Sequence, residues 1–345
     1  MYILAIETSC DETAASVIKA NKGGDHIFVL SNIISSQIEI HQKYGGVVPE
    51  IAAREHVLNI LPVVDEALKK AGIKPEKLDF LAVTKGPGLI TSLISGAETI
   101  RTLAYAWKKP IIEVNHIEGH IYSNFINPES KINYPALILT VSGGHTNLVL
   151  MDKNNKLKII GETLDDAAGE AYDKGAKMMG LGYPGGPIID SLAKSYNKNG
   201  DKSSLSLPRP MLNNPNFNFS FSGLKTSLLY QLQKDKNWKK RIPEYCFAYQ
   251  QAIIDVLTTK TIRAAKKYKV KTVMLSGGVS ANETLRSSLM EAVFKSLNKV
   301  NFLVPEKIYT TDNAAMIAAA AFFKLKRKTP TSFKNLKINP NLPLK

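Results

Sequence analysis

Cysteine is nearly absent: only Cys10 and Cys246 occur in 345 residues. Two thiols give no disulfide framework, which fits a reducing, cytoplasmic compartment. Cys10 lies inside a motif, where a small buried thiol is the expected role rather than a nucleophile. No apolar run reaches the length that spans a bilayer, so no membrane partner is expected. The opening MYILAI reads as a short strand, without the basic start or cleavage site of a signal peptide. Acidic residues are also in deficit: 45 Lys and Arg against 30 Asp and Glu leave a formal charge of +15. AT-rich coding favours lysine and accounts for part of that excess, yet a positive field still attracts polyanions. The segment KLKRKTPTSFKNLKINPNLPLK, from Lys324 on, carries no acid at all. It reads as a solvated, partly disordered tail, with a phosphate-contacting arm as the alternative.

Histidine is scarce too, six in all, which makes the spacing in NHIEGHIYSN informative. His116 and His120 stand four apart after a strand-like IIEV run, and on a helix such residues share a face. Two imidazoles so placed can share one metal ion. The third ligand must come from elsewhere, and Asp312 in YTTDNAAMIAAAAFF is the best candidate. It is expected in the first turn of a helix, with Thr310 and Thr311 as N-caps. Two histidines and one carboxylate leave coordination positions open, as catalytic metal sites do. Glu118 lies midway between the histidines and, at about 100° per residue, points roughly 200° away from the shared face. That placement speaks against a zinc peptidase, in which a glutamate beside the histidines activates water. The metal is expected to orient a substrate or act as a Lewis acid.

At 345 residues, 44% of them hydrophobic, the chain is long for one domain and comfortable for two. MYILAIETS, CDET and AASVIKA read as strand, polar turn, strand, and HIFVLSNIISS as a further strand. A helix is expected over PEIAAREHVLNILPVVDEALKKAG, with Pro49 near its start, a kink at Pro62 and Gly72 at its end. LDFLAVTKG then feeds a Gly-opened helix, and IIEVNH closes the first half. YPALILTVSGGHTNLVLMD starts the pattern again. A helical, loop-rich insert follows, then KTVMLSGGVSANETLRSSLMEAV as strand, Gly-rich turn and helix. This two-fold repeat predicts an α/β protein of two lobes with mixed sheets flanked by helices and a central cleft, resembling the actin, sugar-kinase and heat-shock chaperone superfamily. The expected lobes are 1–130 with a C-terminal helix over 311–328, and 131–310, followed by a basic tail over 329–345.

Three glycine-rich turns favour a nucleotide-like ligand. SGGHT, Ser142 to Thr146, is a hairpin whose amides can nest a phosphate. SGGVSAN, Ser276 to Asn282, opens a helix, where amides and dipole favour anions. GLGYPGGPIID, ending at Asp190, lets backbone approach a ligand at Gly185 and Gly186. Among the carboxylates, Asp11 and Glu12 follow the first strand directly. Asp166 and Asp173 are seven apart and are expected on one helix face. Asp173 and Asp190 are candidates for holding hydroxyls. In FNFSFSGLKTS, core packing is the default reading and base stacking the alternative.

IETSCDET, GGVVPEIAAREH, KGPGL, NHIEGHIYSN, SGGHTNLV, GETLDDAAGEAYDKGAKMMGLGYPGGPIID, FSFSGLKT, SGGVSAN and TDNAAMIAAAA occur in an order that resembles the TsaD family. That family makes threonylcarbamoyladenosine in tRNA. The likeness spans about residues 1 to 325, and FSFSGLKT and YPGGPIID match its bacterial branch. It implies an acyl transfer from threonylcarbamoyl-AMP to the exocyclic amine of the adenosine just 3′ of the anticodon, in tRNAs reading codons that begin with A. AMP is the leaving group. It implies one divalent metal per subunit, Fe2+ ahead of Zn2+, on His116, His120 and Asp312. It places the adenylate on Thr140, Val141, Ser142, Gly143 and Gly144 with Asp173, Gly186, Asp190 and Asn282. Asp11 and Glu12 become candidates for positioning the attacking amine, and no general base is assigned. A TsaB-like paralogue and a TsaE-like ATPase are the implied partners beside tRNA. The family often has DNGAM where this chain has DNAAM, with Ala314, and alanine inside a helix should be harmless. The alternatives are a non-catalytic scaffold paralogue, a metalloprotease, or an ATP-dependent kinase of the same fold. The retained metal set argues against the first. Labelled-threonine transfer, rather than peptide cleavage or phosphate transfer, separates the others.

Overall fold

The apolar, β-branched runs at the start of the chain pair as antiparallel β1 (Tyr2–Glu7) and β2 (Glu12–Ala20), with Tyr2 opposite Lys19. Both strands are buried almost continuously rather than alternately, so both sheet faces are covered. The computed structural model describes residues 1–21, 24, 26–126, 132–196, 203–327 and 329–344. β3 (Ile27–Ser36) extends the sheet beyond β2. After the short α1 (Ile38–Gln42), helix α2 (Pro49–Ala71) starts with Pro49 in its first turn and ends on Gly72 at φ 64°. The left-handed cap suits glycine, and proline suits the first turn. α2 passes Pro62 as a single 23-residue helix. β4 (Phe80–Gly86), α3 (Ile90–Trp107) and β5 (Ile111–Asn115) follow, with β4 parallel to both β1 and β5. β5 runs directly into α4 (His116–Tyr122).

The second sheet repeats this plan. β6 (Ala136–Val141), β7 (Thr146–Met151) and β8 (Leu157–Glu162) form an antiparallel meander. Helices α5 (Ala168–Met178), α6 (Gly185–Tyr196), α7 (Ser222–Lys234) and α8 (Ile242–Lys267) come next. β9 (Thr272–Ser276) joins β6 in parallel, then α9 (Glu283–Ser296) leads to β10 (Asn301–Leu303). The two sheets have orders β3-β2-β1-β4-β5 and β8-β7-β6-β9-β10, the same arrangement twice. α10 (Ala314–Leu325) follows, in which every residue from Ala314 to Phe323 is buried. A helix apolar on all sides belongs in a core.

The residues divide into one unit of Met1–Ser130 with Pro305–Leu344, and another of Lys131–Val304. The expected junction at 130 and 131 lies outside the described residues. Leu4, Ile6, Val83, Ile100 and Leu336 share the first unit's core; Leu139, Phe219, Leu257 and Leu275 share the second's. The expectation of a solvated tail is wrong. Leu336 is 3% exposed, and Thr331 pairs with Ile111 through two backbone hydrogen bonds of 2.7 and 3.0 Å. Sparse apolar residues, Leu336, Ile338, Leu342 and Leu344, anchor the segment. They lack the periodicity by which a helix or strand announces itself.

Candidate metal centre and nucleotide site

α4 is built around its first residue and its cap. Asn115 ends β5 and accepts hydrogen bonds on its side-chain oxygen from the amides of Ile117 (2.8 Å) and Glu118 (3.3 Å). This N-cap satisfies amides that a helix start otherwise leaves open. It fixes His116 and His120 on one buried face, their ring centroids 4.7 Å apart. Asp312 joins them: its Oδ1 lies 3.5 Å from His116 Nε2 and 3.2 Å from His120 Nε2. The three ligating atoms all fall within 4.8 Å of one another.

The fit to a cation can be tested on these spacings. Donor atoms about 2.0–2.1 Å from one tetrahedral ion stand roughly 3.3 Å apart, close to both observed values. His120 supplies a second test. Both its ring nitrogens are buried, Nδ1 without a hydrogen-bond partner and Nε2 facing the Asp312 carboxylate oxygen at 3.2 Å, an arrangement that a cation held between Nε2 and Oδ1 would satisfy. The donor set therefore fits a single divalent ion.

Asp312 is not in the first turn of a helix, contrary to the expectation from the sequence. Asn313 is the N-cap of α10, accepting from Met316 N at 3.0 Å, and Ala314 is the first helical residue. Thr310 instead donates its hydroxyl to Lys307 O. Asparagine is among the best N-caps, which leaves Asp312 on the extended side of the helix start with its carboxylate turned to the histidines. Glu118 lies 3.8 Å from Lys324 on α10, so it forms no part of the donor set.

One residue of this centre was missed. Glu7, at the end of β1, is fully buried, with Oε1 accepting from Ser9 N at 2.5 Å and Oε2 from Thr84 Oγ1. Oε2 also lies 3.4 Å from His116 Nδ1, which is 3.1 Å from Ser9 Oγ. A carboxylate behind a ligand imidazole fixes its tautomer and aims the other nitrogen at the metal. Burial opposes charge on His116, but Asp312 and Glu7 outweigh it and lift its pKa to about 9. Burial likewise raises Glu7, and His116 overrides it, so the carboxyl is held below its ordinary value. Asp11 is buried and Glu12 half-buried at the start of β2. Burial, then Asp11 and Asp312, push the Glu12 carboxyl well up. Burial and the same acids push the Cys10 thiol well up, which keeps it protonated and a poor nucleophile.

In the second unit, parallel β6 and β9 place the two glycine-rich turns side by side at their carboxyl ends, where open α/β sheets bind ligands. Thr140 and Ser276 are register partners whose hydroxyls lie 3.0 Å apart. Ser142 closes the SGGHT hairpin, donating N–H to His145 O at 2.8 Å. Gly277 has φ 87°, and a Cβ there would collide with the Val141 carbonyl. A Cβ on Gly143 or Gly144 would meet nothing within 4 Å, so packing does not demand glycine at either. Asp173 on α5 accepts from Gly185 N at 2.7 Å. Asp190 Oδ1 accepts from Gln250 Nε2 (3.1 Å) and Thr284 Oγ1 (2.9 Å). Asn282 donates to Gln250 Oε1 at 2.8 Å and caps α9 through Leu285 N. Gln250 of α8 thus joins Asp190 to Asn282, a link no local pattern announced. Gly186 sits in α6, where a Cβ would meet Tyr172 Cβ at 4.0 Å, an ordinary van der Waals contact.

One expectation fails here. Asp166 precedes α5, so it shares no helix face with Asp173; it binds Lys174 (2.6 Å) and Lys225 (3.0 Å) instead. Phe217, Phe219 and Phe221 are buried in the core, which is the default core-packing reading, and the base-stacking alternative falls. Asp165 holds that segment from outside, accepting from Ser220 Oγ and Ser222 Oγ.

A family model described as TsaD, tRNA N6-adenosine threonylcarbamoyltransferase, matches residues 28–319. The chain is 50% identical over 322 residues to the tRNA N6-adenosine threonylcarbamoyltransferase of Bacillus subtilis (strain 168), covering 93% of this chain and 89% of that one. It is 45% identical over 346 residues to that of Thermosipho africanus (strain TCF52B), covering 100% of both. Among solved structures, full-length HypF in its phosphate- and nucleotide-bound form superposes with a TM-score of 0.62 at 13% identity, over 96% of this chain and 47% of that one. HypF of T. kodakarensis gives 0.59 at 12%, over 94% and 48%. These two likenesses speak for the fold alone.

Proposed function

The chain belongs to the TsaD family of tRNA N6-adenosine threonylcarbamoyltransferases, and from that premise we propose how its residues divide the reaction. It is an acyltransferase that modifies tRNA. The donor is threonylcarbamoyl-AMP. The exocyclic amine of the adenosine 3′ to the anticodon attacks the carbamoyl carbon. The bond from that carbon to the phosphate oxygen breaks, its electron pair leaves with AMP, and the amine loses one proton.

Thr140 to Gly144, Asp173, Gly186, Asp190 and Asn282 bind the adenylate. What supports this is the paired turns at the ends of β6 and β9, and the absence of any packing need for Gly143 and Gly144. Asp11 and Glu12 position the amine. His116, His120 and Asp312 hold one divalent ion, Fe2+ before Zn2+. When bound, the ion supplies a Lewis acid for the acyl phosphate and for charge that develops on departing AMP. The observation that carries the assignment is the convergence of two buried histidines, His116 Nε2 and His120 Nε2, on Asp312 Oδ1.

The enzyme works in the cytoplasm with a TsaB-like paralogue and a TsaE-like ATPase, and alone it is nearly inactive. Val57 and Leu58, both 67% exposed, and Leu61, 59% exposed, make an apolar stripe on α2 suited to the paralogue. Among the described residues no helix is long and apolar enough to cross a membrane. His120→Ala, assayed with the partners present, should lose most bound metal and most transfer of labelled threonine to tRNA while keeping its circular dichroism. Full metal occupancy in that variant would sink the ligand set.

A further inference from the structure

The C-terminal segment has no part in the reading above, and the family match ends at residue 319. Its course nevertheless leads to the metal helix. Thr331 bridges Ile111 at the start of β5, and Leu336 enters the core beneath α3, its carbonyl accepting from Arg101 at 3.0 Å. Further on, Asn339 N donates to Lys85 O at 2.7 Å, and Gly88 N donates to Pro340 O at 3.1 Å. The Asn339 carbonyl lies so close over Gly86 that a Cβ there would overlap it. Finally the Asn115 amide donates to Leu342 O (3.4 Å) and Pro343 O (3.2 Å).

Asn115 is the same residue that caps α4. An Asn side chain offers an oxygen that accepts and an NH2 that donates. The α4 amides require the oxygen, and the tail carbonyls accept only from the NH2, so one amide orientation serves both. α4 has seven residues, too few to hold its shape alone, and it carries both histidines. A second route runs through the Gly86–Gly88 turn. Leu89 N donates to Ser9 O at 2.8 Å, and a Cβ on Gly88 would lie 2.5 Å from that carbonyl. Ser9 Oγ in turn lies 3.1 Å from His116 Nδ1.

We infer that residues 339–344 brace the metal centre, with Asn115 as the positioning residue through which the tail sets α4 and its two histidines. This rests on the metal reading of His116, His120 and Asp312. The carbonyls of Leu342 and Pro343 orient the Asn115 amide, the amide orients the first turn, and the first turn aims the ligands.

The test compares the full chain with two variants, Asn115→Ser and a chain ending at Ile338. Serine still caps the helix without charge but is too short to reach the tail carbonyls. Zn2+ affinity is measured by competition with a chromophoric chelator, and thermal midpoints are taken on metal-free protein. Outer-shell partners of metal ligands typically set affinity by 10- to 100-fold, so both variants should bind Zn2+ about tenfold more weakly. A Kd within twofold of the full chain, whatever the thermal midpoint, overturns the brace. If the shortened chain does not fold, Asn115→Ser in the full chain decides. A full chain that binds no Zn2+ overturns the metal reading and the brace with it. A full chain that binds and variants that bind equally well overturn the brace alone.

Discussion

Metal affinity should climb between neutral pH and about 9, because one ligand starts out protonated. His116 sits between Asp312 and Glu7; burial disfavours its charge, but the two carboxylates prevail and its pKa stands at about 9. A cation needs the neutral imidazole, so binding expels that proton. With a pKa about 9, on the order of one imidazole in a hundred is neutral at pH 7. Apparent affinity at pH 7 should then lie ~100-fold below its limit, recover roughly tenfold per pH unit, and level off above about 9. Chelator competition at constant ionic strength, corrected for the chelator's own protonation, reads this directly. A Kd that stays flat from pH 7 to 9 would refute the reasoning. Glu7→Gln removes one of the two carboxylates, so the rise should move to lower pH while the limiting affinity falls, the aim of His116 being lost. Stability of the metal-free chain must run the other way. The folded pKa is raised above the unfolded value of 6.5, so this contribution is full below about 6.5 and is lost as pH rises through about 9. Its size is at most about 3 kcal/mol.

Gly144→Val should leave the thermal midpoint nearly unchanged, since a Cβ there meets nothing in the protein, yet weaken a stable donor analogue far more than tRNA. Calorimetry beside a tRNA gel shift reads both; joint loss, or loss of tRNA binding alone, removes SGGHT as the adenylate cradle. Leu58→Glu on the exposed stripe of α2 should cost under about 0.5 kcal/mol of stability but abolish co-elution with the paralogue. Undiminished complex would take α2 out of that interface.

The centre was legible where chemistry and local geometry coincide. His116 and His120 were visible because helical spacing alone puts them on one face, and α2 because Pro49 and Gly72 mark its ends. Asp312 was found but misplaced, because threonines precede it and the better cap, Asn313, follows it. Asp166 was put on a helix by counting back from Asp173, although α5 starts at Ala168. Glu7 and Gln250 stayed hidden because their roles come from partners 109 and 60 or 32 residues away, which no window of sequence contains. The tail was misjudged on its charge. Its anchoring lies in backbone groups and a few leucines.

α10 has a consequence for how the molecule is made. It is the last α-helix among the described residues, yet it fills the middle of the first unit, and Gly119 of α4 lies so close that a Cβ would meet Ile317 at 2.7 Å. Strands β1 to β5 therefore leave the ribosome long before the helix that completes their core. Lys131–Val304, a compact unit, emerges meanwhile, and domains generally fold as units during synthesis. A nascent chain stalled short of Pro305 would hold a finished second unit and an open first one, with His116 and His120 present and Asp312 not yet made. On the proposed metal reading, the His116, His120 and Asp312 set is complete only once Asp312 has been made, and a product that stops before it cannot form that set.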